Sequence, residues 1–424
     1  MSSGHVQVLG VIGCGRMGRR IAQAAATCGF DVRLLDSELD RTKEAKGALV
    51  TRLAGEAAAG RLPRHVAEEA AARLHAVSDL AELADADFVL ETIPDDMSLK
   101  RKLLTKLDGI LPSTTLLASG TSTLSITKLA DGMRSAGRML GMHFFDADAD
   151  VGAVEVVLGG ASSNQAFVDA RAVAAKLGRT PLRVSDSPGF IGNRVHLAFC
   201  LEAIRLLELG LSDVGVIDAA ARNIGEQAAG PFERMDRQGL DTVLHLAETV
   251  CEGHGRATRF APPPALRKLV AAGHLGRQSA RGFYDYSGKQ ATPAYETPPR
   301  SDPAWRPSAK LREVAAALGK PADRGMWLFS RMLLSAVNES ALIADSIALP
   351  RDVNLAMELA FGFPEGPLAA ADRIGLDLIG PLMKEFHQDH DGDHCFQPSP
   401  LLERLVAAGL FGEKSARGFL HHAL

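Results

Sequence analysis

Apolar and polar positions follow two rhythms along the chain. Up to about residue 187, short apolar runs alternate with stretches of helical spacing. "VQVLGVI" (6–12) reads as a buried strand, and "GCGRMGRRIAQAAATCG" (13–29) as a loop opening an Ala-rich helix. "DVRLLD" (31–36) is a second strand, and residues 38–74 read as two helices broken at "GRLP". Further strands are expected at "DFVLETI" (87–93), "TTLLAS" (114–119), "RMLGMHFF" (138–145), "AVEVVLG" (153–159) and "TPLRVSD" (180–186). Strands alternating with helices predict a mostly parallel sheet covered on both faces.

After residue 187 the strand signal stops, and amphipathic helices with Pro- and Gly-rich turns take over. This half repeats itself. "AAGPFERMDRQGLDTV" (228–243) resembles "PEGPLAAADRIGLDLI" (364–379), and "LRKLVAAGHLGRQSARGFY" (266–284) resembles "LERLVAAGLFGEKSARGFL" (402–420). The offset stays at 136 from Gly230/Gly366 through Asp241/Asp377 to Gly282/Gly418. So long a period means a duplicated domain, not a solenoid repeat. Between the copies, residues 287–309 carry five prolines and read as an extended connector. The expected plan is a dinucleotide-type domain over 1–186, a helical domain over 187–287, a Pro-rich linker over 288–320 and a second helical domain over 321–424.

Composition narrows the function classes. The chain is 46% hydrophobic and 23% charged, with net charge −4 and interspersed signs, so nucleic acid is not an expected partner. No run of 18 uncharged apolar residues exists, and the N-terminus lacks a basic segment leading into a long apolar one. No membrane span or cleaved leader is expected. Five cysteines, an odd number without a C-x-x-C pair, point to reduced thiols and a cytoplasmic protein.

Candidate chemistry starts at Gly13-x-Gly15-x-x-Gly18. The motif follows a strand and opens a helix, and Asp36 ends the next strand 23 residues after Gly13. The first glycine permits the tight turn, the second a close approach of a pyrophosphate, and the third close helix–strand packing. Asp36 would bond the ribose hydroxyls and repel a 2′-phosphate, favouring NAD over NADP. Cys14, Arg16 and Met17 share the loop, although a solvated side chain is the competing reading for Arg16.

With the glycine loop, the His143-Phe144-Phe145 segment, "SPGFIGNR" and "ARGFYDY" in order, the chain resembles the L-3-hydroxyacyl-CoA dehydrogenases over nearly its whole length. The resemblance implies a Rossmann-type α/β domain followed by two all-α domains of the 6-phosphogluconate-dehydrogenase-like kind. It implies NAD-dependent oxidation of a 3-hydroxyacyl thioester, or the reverse reduction. In the family the catalytic histidine opens His-Phe-Phe-Asn-Pro, with a glutamate twelve residues later; here these are His143 and Glu155. The serine of Asn-Thr-Ser-Ser corresponds to Ser122, and the asparagine of Pro-Gly-Phe-x-x-Asn-Arg to Asn193. The chemistry asks for these residue types: a histidine takes the hydroxyl proton, a carboxylate fixes its tautomer, and Ser122 and Asn193 hold the substrate oxygen. In the family's Glu-Ala-x-x-Glu-x-x-x-x-Lys stretch, the second glutamate and the lysine contact the cofactor, and the lysine also reaches the CoA. Here those two positions are Asp95 and Lys100. Lys43, Lys46, Arg52 and Arg61 fall where the family binds CoA phosphates, with an ordinary solvated helix face as the alternative.

The departures cluster. Asp146 replaces the family's asparagine near the nicotinamide, Gly120 replaces the asparagine of Asn-Thr-Ser-Ser, and Gln278 stands for a lysine that the second copy keeps as Lys414. They read either as drift in a working enzyme or as the mark of an atypical substrate, such as an acyl-carrier-protein thioester or a polar acyl group. They also leave a non-catalytic NAD-binding scaffold or sensor as an alternative. A dehydrogenase of free sugar acids is a third reading, weakened because those relatives have prolines where this chain has Phe144 and Phe145. No metal is expected. A calcium loop begun at Asp146 would put Val151 and Val157 where glycine and glutamate are required. "HQDHDGDHCF" (387–396) puts Asp391, not glutamate, after His390 and reads as a polar loop. In the family the helical domain dimerises; the tandem copies could supply that interface within one chain, so both a monomer and a homodimer are compatible.

Overall fold

A computed structural model describes residues 6–145, 152–295, 305–389 and 395–423. The chain forms two compact units, divided between Phe190 and Ile191. The aspartates at 146, 148 and 150, and His390, Asp391 and His394, lie outside the described residues.

The first unit contains strands β1 (Val8–Ile12), β2 (Asp31–Leu35), β3 (Leu74–Ala76), β4 (Phe88–Glu91), β5 (Leu116–Ser119), β6 (Met139–Phe144), β7 (Gly152–Leu158) and β8 (Arg179–Ser185). Its helices are α1 (Arg16–Thr27), α2 (Leu39–Ala58), α3 (Arg64–Ala72), α4 (Met97–Ile110), α5 (Ile126–Ala130) and α6 (Asn164–Lys176). One sheet runs in the order β3-β2-β1-β4-β5-β6-β7-β8. It is parallel from β3 to β6; β7 then runs antiparallel to β6, and β8 parallel to β7. Every residue of β4, β5 and β6 is buried, as a sheet covered on both faces requires. The chain order reverses between β1 and β4, and at such a switch point the carboxyl ends of the strands open a ligand crevice. β3 is absent from the sequence-based expectation. Its three residues, with only Leu74 fully buried, carry no periodic signal.

The second unit is helical. Its first copy holds α7 (Gly192–Glu208), α8 (Val214–Asn223), α9 (Pro231–Gln238), α10 (Leu240–Gly253) and α11 (Pro264–Ala271). After α12 (Ala309–Ala317), the second copy holds α13 (Arg324–Ala344), α14 (Pro350–Phe361), α15 (Pro367–Ile374), α16 (Leu376–Asp389) and α17 (Pro400–Ala407). α9, α10 and α11 reappear with identical lengths 136 residues later as α15, α16 and α17. The Pro-rich stretch is less open than expected. Thr292–Pro293 pairs with Tyr284–Asp285, and α12 falls inside the expected linker. Ser308 caps α12, accepting from Leu311 N–H at 3.1 Å, while Leu311, Val314 and Ala315 form a buried stripe. That short stripe is masked in sequence by the prolines before it.

The copies pack reciprocally. α7 lies against α13, α8 of the first copy meets α13, and α14 of the second meets α7. Arg194 pairs with Glu339, and Arg331 with Glu202 at 2.7 Å. Arg331 follows Arg194 by 137 residues and Glu339 follows Glu202 by 137. The same two side chains are therefore exchanged in both directions, the signature of an isologous, two-fold-like interface.

Candidate active site

Backbone geometry dictates the glycine loop. Gly13 has φ +99°, and a Cβ on Gly18 would lie 1.9 Å from the Gly13 carbonyl oxygen. A Cβ on Gly15 would meet no protein atom within 4 Å, so the backbone there is open to a phosphate. Gly15 caps α1, and no side chain closes that helix end among the described residues. Asp36 follows β2 and accepts from Cys14 N–H at 2.7 Å and from Ser37 N–H at 2.8 Å. Burial would raise its carboxyl; the hydrogen bonds from Cys14 and Ser37, with Arg41 3.5 Å away, outweigh that and hold it below its ordinary value. Burial and the Asp36 charge push the Cys14 thiol up to about 11, so it stays neutral at physiological pH. Arg16 is exposed, and Met17 leans on the core. Open backbone, helix end and ionised carboxylate together fit a dinucleotide.

Thr92, just after β4, braces this loop by donating to the Gly13 carbonyl at 3.0 Å. The family stretch quoted above has alanine at this position. Opposite it, a Cβ on Gly120 would meet Thr92 Cγ2 at 3.2 Å and the Glu91 carbonyl oxygen at 3.1 Å. Position 120 is thus closely walled by the Glu91 carbonyl and the Thr92 methyl, and a side chain there would need both to give.

His143 and Glu155 face each other directly in the β6–β7 register. Nδ1 of His143 lies 2.6 Å from Glu155 Oε2, and Glu155 has no exposed surface. A carboxylate only accepts, so Nδ1 carries the proton and Nε2 is the basic nitrogen. Phe145 meets the imidazole edge-on at a ring-centroid distance of 4.7 Å, and Phe190 lies 5.9 Å away. Phe190 holds φ +52°, beside Gly189 at +78°.

Ser122 follows β5; its N–H and hydroxyl both donate to Asp95 Oδ2, at 3.0 and 3.1 Å. Lys100 lies inside the fold, next to the Ser122 loop. Its side chain is fully enclosed, bonded to both Glu91 oxygens at 2.9 and 2.7 Å and to the Ile93 carbonyl at 2.9 Å. A buried ammonium needs this full set of partners, which β4 and the loop after it supply. Sequence reasoning missed Glu91 and Ser119, whose hydroxyl also donates to Glu91. A lone glutamate in the apolar run "DFVLETI" was the available signal, because a charge on a buried strand requires a partner. Asn193 belongs to the second unit, on the first turn of α7. Lys43 and Arg52 are exposed on α2, and Arg61 pairs with Glu56 at 2.5 Å.

Comparison with known proteins finds relatives along both units of the chain. The profile of the 3-hydroxyacyl-CoA dehydrogenase NAD binding domain matches residues 8–187, and that of the family's C-terminal domain matches twice, over 189–286 and 327–422. The 3-hydroxybutyryl-CoA dehydrogenase of Bradyrhizobium diazoefficiens is 37% identical over 68% of this chain and 98% of its own. The 3-hydroxyadipyl-CoA dehydrogenase of Escherichia coli K12 is 29% identical over 94% of this chain and 97% of its own. A crystal structure of 3-hydroxybutyryl-CoA dehydrogenase from E. coli K12 superposes with a TM-score of 0.84 at 26% identity, covering 96% of this chain and all of that one. The chain belongs to the 3-hydroxyacyl-CoA dehydrogenase family.

Proposed function

We propose that the protein oxidises a 3-hydroxyacyl-CoA to the 3-oxoacyl-CoA with NAD, or runs the reverse reduction, with His143 as the base. The observation that carries this reading is the 2.6 Å contact between His143 Nδ1 and Glu155 at the crevice edge of the sheet. Gly13, Gly15 and Gly18 with the α1 N-terminus would hold the pyrophosphate, and Asp36 the adenosine ribose. NAD, when bound, supplies the hydride acceptor. The C3 hydroxyl proton passes to His143 Nε2, and Glu155 stabilises the imidazolium that forms. Ser122 and, by the family resemblance, Asn193 hold the substrate oxygen so that C3 stays aligned.

CoA is the proposed carrier, because the curated relatives are named for CoA thioesters. Among the described residues no helix is long and apolar enough to cross a membrane. The five free cysteines support a cytoplasmic setting. The test is consumption of NADH with acetoacetyl-CoA, alongside oxidation of 3-hydroxyadipyl-CoA, whose acyl chain ends in a carboxylate. Turnover of either supports the reading; failure with both, given intact NADH binding, supports the non-catalytic alternative.

A further inference from the structure

Outside the dyad, the first unit builds a second chain of charged contacts that ends on a site residue. It begins at Glu91, fully buried at the carboxyl end of β4, which accepts from Ser119 and Lys100 and from Ile93 N–H at 3.2 Å. Lys100 Nζ stands 3.3 Å from Asp95 Oδ1, and Asp95 Oδ2 takes both donors of Ser122. Glu91 and Lys100 have no exposed surface, whereas the Asp95 side chain is 24% exposed. The buried pair is thus an anchor, and Asp95 is the arm that leaves it. Asp95 bonds both the backbone and the hydroxyl of Ser122, so it constrains the loop and the rotamer together.

We propose that Glu91, Lys100 and Asp95 form a positioning relay for Ser122, and that Lys100 serves the reaction by fixing Asp95, not by contacting phosphates of the thioester. The inference rests on the dehydrogenase reading above. An ammonium whose three hydrogens bond Glu91 and the Ile93 carbonyl, and which holds Asp95 through its charge at 3.3 Å, has none to offer a phosphate without unmaking the pair, and stranding a buried charge is costly. None of the three residues touches the reacting atoms; each acts through the next.

The test compares acetoacetyl-CoA with acetoacetyl-N-acetylcysteamine, a thioester without the nucleotide and its phosphates. Lys100→Met alone would strand Glu91, so the folding-safe variant is the pair Glu91→Gln with Lys100→Met; Asp95→Ala, near the surface, is the second. Each variant is expected to lower kcat/KM about tenfold, by the same factor for both thioesters. In a Ser122→Ala background neither is expected to lower it further, because the relay has nothing left to position. A loss confined to the CoA thioester would overturn the proposal and make Lys100 a phosphate ligand. Losses that multiply with Ser122→Ala would overturn it too, since the relay would then not act through the serine. If the wild-type enzyme acts on 3-hydroxyadipyl-CoA alone, the comparison is made with that substrate and its N-acetylcysteamine thioester; if it turns over none of these, the dehydrogenase reading itself falls and the relay with it. Turnover by the wild type with either overturning pattern in the variants removes the relay alone.

Discussion

The two helical copies share a scaffold and differ in what it is asked to do. Asp236 accepts from Phe283 and Tyr284 N–H, at 3.0 and 2.9 Å, and Asp372 accepts from Phe419 and Leu420 N–H, at 3.0 and 2.8 Å. Gly276 and Gly412 crowd the same two aspartates, and Ala280 and Ala416 adopt the same left-handed conformation, with φ +57° and +58°. These devices fold the domain, and both copies keep them. The copies part where the first carries Asn193. In the helical register defined by the reciprocal ion pairs, the second copy has Ser330, whose hydroxyl is buried without a partner among the described residues. Duplication thus preserved what folds the domain and the face that joins the copies, and released the position proposed to serve chemistry.

The largest expected contrast is catalytic. With Asn193 in its proposed role, Asn193→Ala is expected to lower kcat about a hundredfold, the cost of removing one donor to the reacting oxygen. Ser330→Ala, one copy away, is expected to leave steady-state kinetics unchanged and stability equal or slightly higher, because it deletes an unsatisfied hydroxyl. Equal losses at both positions would break the comparison.

The shared face comes next. Arg331 is 1% exposed and pairs with a fully buried Glu202, so Glu202→Gln is expected to cost about 3–5 kcal/mol in denaturant unfolding. Glu339 bonds Arg194 and Arg259; burial alone would raise its carboxyl, and the two guanidinium groups hold it below its ordinary value. Glu339→Gln should therefore cost at least as much. A pseudo-symmetric interface predicts comparable losses from either side.

A third contrast is in pH. Asp218 accepts from Phe232 N–H at 2.9 Å, and Asn354 accepts from Leu368 N–H at 3.0 Å in the same role. Burial raises the Asp218 carboxyl to about 7, against hydrogen bonds from Phe232 and Tyr284 that lower it. As pH rises from about 4 to about 7, the folded protein keeps a proton that the unfolded chain has lost, so this group makes stability fall across that window. Asp218→Asn together with Tyr284→Leu copies the second domain's solution, which has Asn354 and Leu420. The double variant is expected to flatten that fall and to raise stability at neutral pH by about 1–3 kcal/mol in pH-resolved thermal unfolding.

The smallest difference is at the surface. Gln278 donates to Asp241 at 2.9 Å, and Lys414 pairs with Asp377. Gln278→Lys would turn a neutral bridge into an exposed ion pair. It is expected to shift stability by less than about 1 kcal/mol, with any gain removed by salt.

The sequence made much of this legible for local reasons. The family resemblance names His143 and Glu155, and two expected strands in succession carry them, which the β6–β7 pairing sets opposite each other. The glycine loop is set by one turn, and the duplication by a constant offset. What it hid is tertiary. Lys100 lies in a motif that suggests a ligand, and only the closure of β4 against α4 encloses it with Glu91. The exchange of Arg194 and Arg331 was hidden because their offset is 137, one residue out of step with the 136 of the turns.

The central claim is that His143, oriented by Glu155, moves the proton. Its most direct measurement is the pH profile of kcat, followed by NADH absorbance, in the wild type and in Glu155→Gln. Gln offers an acceptor oxygen without the charge that stabilises imidazolium. The account predicts a loss of about 10²- to 10⁴-fold in kcat with little change in NADH affinity. An unchanged kcat and pH profile in Glu155→Gln would contradict it.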